Sequence, residues 1–386
     1  MNRLFVLLTL LFSVELCESV ECGVWSEEYT RHTADSVVAC NSADTTLLTP
    51  PKREIGPIRK TIRGFSKIDN RYIEPQHYNW AFMVQSTFNY DVFIIKGVEG
   101  QKLTLSPDVI MKIGPFFGWR WLFLGYTFDL KNISFNSKGK LKTEFDLSLY
   151  SNQIGVDLYY RRTGCDYKIR HAVIGDGVDN AVLNNTPFDG IKVGITGASL
   201  YYIFNHKRFS YPAAFAQSTR QKISCGSWMA GIGYTRNSLE LDYDKLETIV
   251  SERIGYEAKL DSGLRFNSIK YYNLNASAGY AYNWVFAKNW LACGSLSVAV
   301  AYKRQQGDMA DKKNMADFVF KNFNLDAMAR IAVVYNNNRW FAGMSALMNQ
   351  QNYTKSRFEC NNIFGSINVY CGLNFGVQKK YKKKKK

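Results

Sequence analysis

Four histidines, His32, His77, His171 and His206, are the side chains best suited to proton transfer near neutral pH, so their spacing decides what they can do. None sits two turns or one strand step from another, and the paired face of an H-E-x-x-H zinc site does not occur. No G-x-S-x-G elbow presents a serine nucleophile. Gly231-Ile-Gly233 lacks the third glycine of a dinucleotide cradle and falls inside a strand pattern, where small residues ease packing or curvature. His171 with Cys165 and Asp176 has the composition of a thiol nucleophile, its base and an orienting carboxylate. A loop holding these polar residues by chance is the better reading, because nothing in the sequence holds them in register. Asp176, Asp179 and Asp189, beside Gly177 and Gly190, offer oxygens to a hard cation, yet their spacing matches no calcium loop. The expectation is a non-enzymatic chain with no catalytic, cofactor-binding or metal residue and no cofactor.

Cysteine usage agrees. Eight are encoded, and removal of a leader containing Cys17 leaves Cys22, Cys40, Cys165, Cys225, Cys293, Cys360 and Cys371 without any C-x-x-C spacing. Cys293 and Cys371 lie inside strand patterns, where a thiol serves as a small apolar filler.

Elements that would position any of these groups must be strands. Leu4 to Val14 is an apolar run behind Arg3, and Cys17-Glu18-Ser19 follows as a cleavage site, so residues 1–19 read as a signal peptide. No later stretch approaches the ~20 apolar residues of a spanning helix, so any membrane the chain occupies must be crossed by strands. A hydrophobic fraction of 46% with a mean hydropathy of −0.24 excludes a helical membrane bundle. Residues 20–70, with Pro50-Pro51, Pro57 and a run of Lys and Arg, read as a poorly ordered basic lead-in, 71–375 as the barrel, and 376–386 as a Lys-rich tail. The tail carries seven of the positive charges behind a net +16, a solvated run suited to anionic lipid head groups. Nucleic acid is not expected as a partner of an exported chain.

Period-two alternation is clearest at Phe145, Leu147 and Leu149 against Asp146 and Ser148, and at Ile154, Val156, Leu158 and Tyr160 against Gly155, Asp157, Tyr159 and Arg161. Twelve such strands are expected, at 80–94, 103–113, 119–130, 143–151, 154–162, 191–204, 225–237, 272–286, 290–303, 324–335, 340–349 and 362–375, with fourteen as the alternative. The fold class is all-β, a transmembrane antiparallel up-and-down β-barrel: with almost no helix to cover the apolar faces, a closed barrel with lipid outside resolves them. Pro212 cannot donate a ladder bond, and counting 209–217 as a strand would reverse which gaps are short, so 205–224 is expected as a plug-like insert on the turn side. Within 244–256, Leu246, Ile249, Val250 and Ile254 have helical spacing and read as a loop cap.

Two residue sets follow. Asp129, Glu144, Asp146, Asp157, Arg161, Lys192, Asp326 and Arg330 are expected to face the lumen, where both signs can pair and fill a narrow interior. Trp119, Trp121, Trp284, Phe286, Trp290 and Trp340 flank short gaps and are expected to mark the membrane boundary.

The runs from Gly114 to Leu130 (GPFFGWRWLFLGYTFDL), Thr143 to Tyr150 (TEFDLSLY) and Gly279 to Leu291, with Tyr211-Pro-Ala-Ala-Phe-Ala-Gln217, resemble an uncharacterised family of exported Bacteroidota proteins, domain of unknown function 4421. The resemblance covers about 70–375 and implies an outer-membrane barrel, with no assigned activity to carry over. The last strand alternates through Ile367, Val369, Cys371 and Leu373 to Phe375, similar to the signal read by the outer-membrane assembly machinery, although 376–386 follow it. Expected partners are therefore outer-membrane lipid and that machinery, and the expected location is the cell outer membrane. The expected role is a narrow, porin-like pore or a structural or scaffold barrel. A membrane hydrolase acting on lipid or envelope polymer is one alternative, and a soluble periplasmic carrier another.

Overall fold

A computed structural model describes residues 68–97, 99–119, 122–125, 128–129, 143–163, 166–175, 180–255, 260, 268–306, 323–355 and 358–382. The expected signal peptide, most of the lead-in and the end of the tail lie outside them.

The strands are β1 (Ile73–Pro75), β2 (Tyr78–Gly97), β3 (Lys102–Pro107), β4 (Ile110–Trp119), β5 (Leu122–Gly125), β6 (Phe128–Asp129), β7 (Thr143–Tyr150), β8 (Ile154–Thr163), β9 (Tyr167–Val173), β10 (Thr186–Phe188) and β11 (Ile191–Ile203). After the short helix α1 (Pro212–Phe215) come β12 (Thr219–Gln221), β13 (Cys225–Leu241), helix α2 (Tyr243–Ile254), β14 (Ser268–Ala287), β15 (Trp290–Gln306), β16 (Phe323–Asn336), β17 (Trp340–Lys355) and β18 (Phe358–Val377). All pairing is antiparallel, and apart from β1–β12 the strands form one sixteen-stranded sheet. Among the described residues no helix is long and apolar enough to cross a membrane.

Among the described residues, fourteen of the sixteen segments make twelve staves. Both β3 and β4 pair with β2, so they are one strand broken at Asp108-Val109, and β5 and β6 pair with β4 in a single register. β9 and β10 are additions at the loop end, where β9 pairs with β3 and β10 with β9. The first long strand pairs with the last, from Tyr78 opposite Val377 to Gly97 opposite Phe358. The sheet's two ends, β5/β6 and β7, are consecutive in the chain and are joined through 130–142, outside the described residues. This is an up-and-down barrel with a turn-side insert, in which backbone groups find partners along the wall.

The expected gap at 163–190 holds β9 and β10, β13 and β14 run past their expected loop-side ends, and two further boundaries differ from expectation. Gly114 to Gly118 is strand and not a turn: Phe117 opposes Phe82, Trp119 opposes Trp80, and Trp119 also pairs with Leu122 of β5. Gly114-Pro115 mimics turn chemistry, but here Gly114 lies in strand opposite Gln85 and Pro115 opposite Val84 of β2. The expected long gap at 350–361 is also mostly strand, since β17 runs to Lys355 and β18 restarts at Phe358.

Alternation sorts the wall into two faces. On β14 the odd positions Asn273, Ala281 and Asn283 are buried, while Leu274, Tyr280, Tyr282 and Trp284 are exposed. The same phase leaves Trp228, Ile232, Leu296, Val298, Val300, Leu325 and Ile331 exposed on neighbouring strands. From Leu274 to Trp284 the band covers roughly 33 Å of strand, about 25 Å of height at the usual tilt of such barrels. At the loop end, apolar groups lie inside instead. Ile95, Leu105, Ile169, Phe188, Ile191, Ile195 and Ile269 form a core with Leu246 and Val250 of α2. Asp242 caps that helix by accepting from the Lys245 amide at 3.1 Å, and Gly255, at φ 84°, ends it.

Candidate functional site: the filled lumen

The centre of the barrel is polar because its inward positions carry Asp, Arg, Lys, Asn, Ser and Tyr. Asp157 of β8 and Arg330 of β16 meet across the lumen at 2.5 Å, and both are buried. The Ser148 hydroxyl donates to Asp157 at 2.6 Å, and Arg330 donates to the phenol oxygens of Tyr150 at 3.0 Å and Tyr201 at 3.1 Å. The guanidinium also lies within 6 Å of the Tyr150, Tyr201 and Tyr211 rings. A delocalised, weakly hydrated cation suits this cage far better than an ammonium would.

Tyr211 comes from the insert, so plug and wall share one network. Its hydroxyl donates to Ser295 at 3.2 Å, while Ala213 and Ala214 pack on Leu291, Cys293, Ala332 and Val334. Gln217 adopts φ 55°, a conformation that costs a non-glycine residue about 1 kcal/mol or more unless its surroundings hold it. They do: its amide donates to Ala214 O at 3.1 Å and to the Tyr370 hydroxyl at 2.8 Å, and its oxygen accepts from Asn336 at 3.4 Å. Asn283 donates to Ser210 O at 2.8 Å, and Arg220 pairs with Glu74 beside β1. The turn end is thus filled by residues bonded to the wall around them.

A second buried ion pair lies nearer the loops. Lys303 Nζ donates to Asp326 at 2.6 Å and to Asn352 O at 2.6 Å, while Asn273 donates to the other Asp326 oxygen at 2.9 Å. Tyr167 donates to Asp91 at 2.9 Å, and Arg161 lies 5.2 Å from the centre of the Phe364 ring. Between the two ion pairs is a cavity of about 70 Å³ whose lining includes Ser199, Asn275, Ser277, Ser297 and Arg330. That volume has room for several waters, with these polar side chains as partners set among apolar ones such as Met229 and Met328. Such an interior holds charge in place.

Of the eight charged residues expected in the lumen, Asp157, Arg161, Asp326 and Arg330 are inside and buried. Asp129, Glu144 and Asp146 are described in backbone only, opposite Lys112, Arg161 and Tyr159. Lys192 is a correction. It faces outward and reaches Glu240 at 3.7 Å, because its neighbours Ile191 and Val193 occupy the inward positions in the loop-end core. Of the expected boundary aromatics, Trp284, Phe286, Trp290 and Trp340 are exposed on the outer face, and Trp119 shares the face of exposed Phe117. Rings run along the turn-side rim from Trp284 to Phe286 at 5.4 Å, Phe286 to Trp290 at 6.0 Å and Trp290 to Tyr335 at 5.3 Å. Trp121 lies outside the described residues.

Sequence reading missed Lys303, Tyr150, Tyr201 and Tyr211. The first three share strand phase with inward residues, a usable signal, whereas Tyr211 sits in the insert and carried none. Among the described residues no three His, Cys, Asp or Glu side chains are grouped to hold a metal ion. Of the Cys165, His171 and Asp176 set only His171 is described, on β9 opposite Thr104, and Asp189 is paired with Lys245 at 2.5 Å.

No curated protein matches the chain. Among solved structures, the toluene transporter TodX of P. putida shares 8% identity at a TM-score of 0.21, over 78% of this chain and 91% of its own. The transport unit of the autotransporter AIDA-I from Escherichia coli shares 9% at 0.30, over 77% and 90%. The outer membrane protein OprG from Pseudomonas aeruginosa shares 11% at 0.21, over 78% and 99%. The fold therefore rests on the strand pairing above. The model of the family described as Domain of unknown function (DUF4421) matches residues 67–375, and the chain belongs to that family.

Proposed function

We propose that this protein is an exported outer-membrane barrel that acts as a closed structural or scaffold element and not as a pore or an enzyme. The observation that carries the reading is the Asp157–Arg330 pair, which spans the lumen from β8 to β16 and is packed against Tyr211 of the insert. Opening the turn end would strip a buried guanidinium of its partners, at a cost of about 3–5 kcal/mol. At the loop end, a polar solute would have to cross the core of Phe188, Ile195, Leu246 and Val250.

Membrane residence is supported by the outward band, whose height matches a bilayer core and whose turn-side rim is aromatic. Lipid and the assembly machinery are the partners this reading implies, and no cofactor is required. Planar-bilayer recording of the refolded chain, run beside hydrolysis of a labelled phospholipid, tests it. Silence in both assays is expected, while heat-modifiable migration certifies the folded barrel. Steady unitary conductance, or phospholipid turnover, overturns it.

A further inference from the structure

Outside the wall, at the loop-side edge of the apolar band, the register gathers basic residues around one tyrosine. Arg236 of β13 lies opposite Tyr272 of β14, and Tyr272 lies opposite Arg304 of β15. Lys270, two residues from Tyr272 on the same strand face, is opposite Ser238. Arg236 and Arg304 are thus two strands apart, ~10 Å, and Lys270 is the diagonal neighbour of both, ~7–8 Å away. Alternation places all three outward: Arg236 and Lys270 are exposed, and Arg304 is half-buried.

The surface there is concave. A recess of about 130 Å³ is lined by Tyr234, Arg236, Lys270, Tyr271 and Tyr272. Beside it, Ser238 opposite Lys270 faces Gly194, so the neighbouring outward positions are small. Among the described residues the outward carboxylate on these strands is Glu240, which Lys192 engages at 3.7 Å, and Arg304 has a partner of its own. Directly below, toward the middle of the wall, Ile232, Leu274 and Val300 are exposed.

Cations in a recess above an unbroken apolar surface match an amphiphile with an anionic head and acyl chains. We infer that this recess binds the phosphomonoester head of a multi-acyl lipid in the leaflet at the loop end, with the chains lying along Ile232, Leu274 and Val300. Arginine forks suit phosphate oxygens bidentately, Lys270 adds a point charge, and the tyrosines supply the polar-edged rings typical of this depth. The inference rests on the membrane reading above.

The test uses the full chain in phosphatidylcholine nanodiscs doped with bisphosphorylated lipid A or with its phosphatase-treated form, read by native mass spectrometry. The wild-type chain is expected to retain the phosphorylated lipid about tenfold better than the dephosphorylated one. The triple variant Arg236→Gln, Lys270→Gln, Arg304→Gln is expected to lose that preference while keeping heat-modifiable migration. Added inorganic phosphate should not displace the lipid. Equal retention of both lipids, a preference that survives the triple variant, or displacement by inorganic phosphate each overturns the site. A wild-type chain that fails to enter the discs or shows no heat-modifiable band overturns the membrane reading itself, which keeps the two failures distinct. Should the triple variant alone fail to fold, the single variant Arg236→Gln, expected to weaken the preference about threefold, decides the matter, and an unchanged preference overturns the site.

Discussion

The middle of the barrel and its loop end are built from the same strands with opposite polarity. On β11, Ile191, Val193 and Ile195 face inward near the loops and Lys192 outward, whereas further along Ser199 and Tyr201 face inward and Leu200 and Tyr202 outward. Strand phase never changes; the surroundings of each face do. Near the loops the outer face meets water and the inner face meets β9, β10 and α2, so apolar groups go inside as in a soluble domain. In the middle the outer face is greasy, and the inner face holds charges that must pair because bulk water is excluded. One chain thus contains a membrane barrel with a soluble-type core stacked on it.

That contrast can be broken in stages. The largest effect is expected from Asp157→Asn, which leaves Arg330 buried beside a neutral partner: about 3–5 kcal/mol of stability should be lost, read from denaturant unfolding in lipid vesicles. The double variant Asp157→Leu, Arg330→Met should recover most of it, and a double variant as unstable as the single one would mean that the pair does more than balance charge. Next, Phe188→Ala in the loop-end core should cost about 3–5 kcal/mol of local stability. Hydrogen exchange should show faster opening of β9 and β10 while heat-modifiable migration stays unchanged, since β10 adds to the wall and does not close it.

Smaller and more discriminating is a pair on one strand face. Leu200→Arg should cost about 2–4 kcal/mol in lipid, whereas Lys192→Leu should change stability by less than about 0.5 kcal/mol. Equal effects at the two positions would erase the proposed boundary between them. The smallest effect concerns Asp108, whose carboxyl is held below its ordinary value by hydrogen bonds from Lys168 and Arg170, both at 2.7 Å. A depressed folded-state pKa stabilises above the unfolded carboxylate value and is lost as pH falls through the lower folded one. Acidification should therefore loosen β9 by on the order of a few tenths of a kcal/mol, because Asp108 is more than half exposed. Asp108→Asn should abolish that pH dependence in hydrogen exchange.

Much of this architecture is legible in the chain. Period-two runs locate the strands, Pro212 excludes the insert from the wall, and the spacing of Leu246, Ile249, Val250 and Ile254 reveals α2. Polarity is where reading fails. Assigning Lys192 to the lumen assumes one rule for the whole strand, and the rule inverts where β9, β10 and α2 cover the interior. The candidate site is legible only by halves: Asp157 and Arg330 each stand at an inward phase, but their pairing joins staves separated by β11, β13, β14 and β15, and no local pattern encodes a contact across a lumen. Gly114-Pro115 misleads because turn chemistry is a local signal, and here the pairing of β4 with β2 carries the strand through it.

The seam between β2 and β18 also bears on how such a chain is made. The backbone N–H of Gln378 donates to His77 O at 2.9 Å, so the wall's beginning and end meet at one rim. Until β18 is made, β2 has no partner along that edge, and two rows of bare peptide groups wait for each other across the whole wall. A circular permutant that links the rim residues and opens the chain at 337–339 instead would draw the same wall with a different first strand, moving that wait to the β16–β17 hairpin.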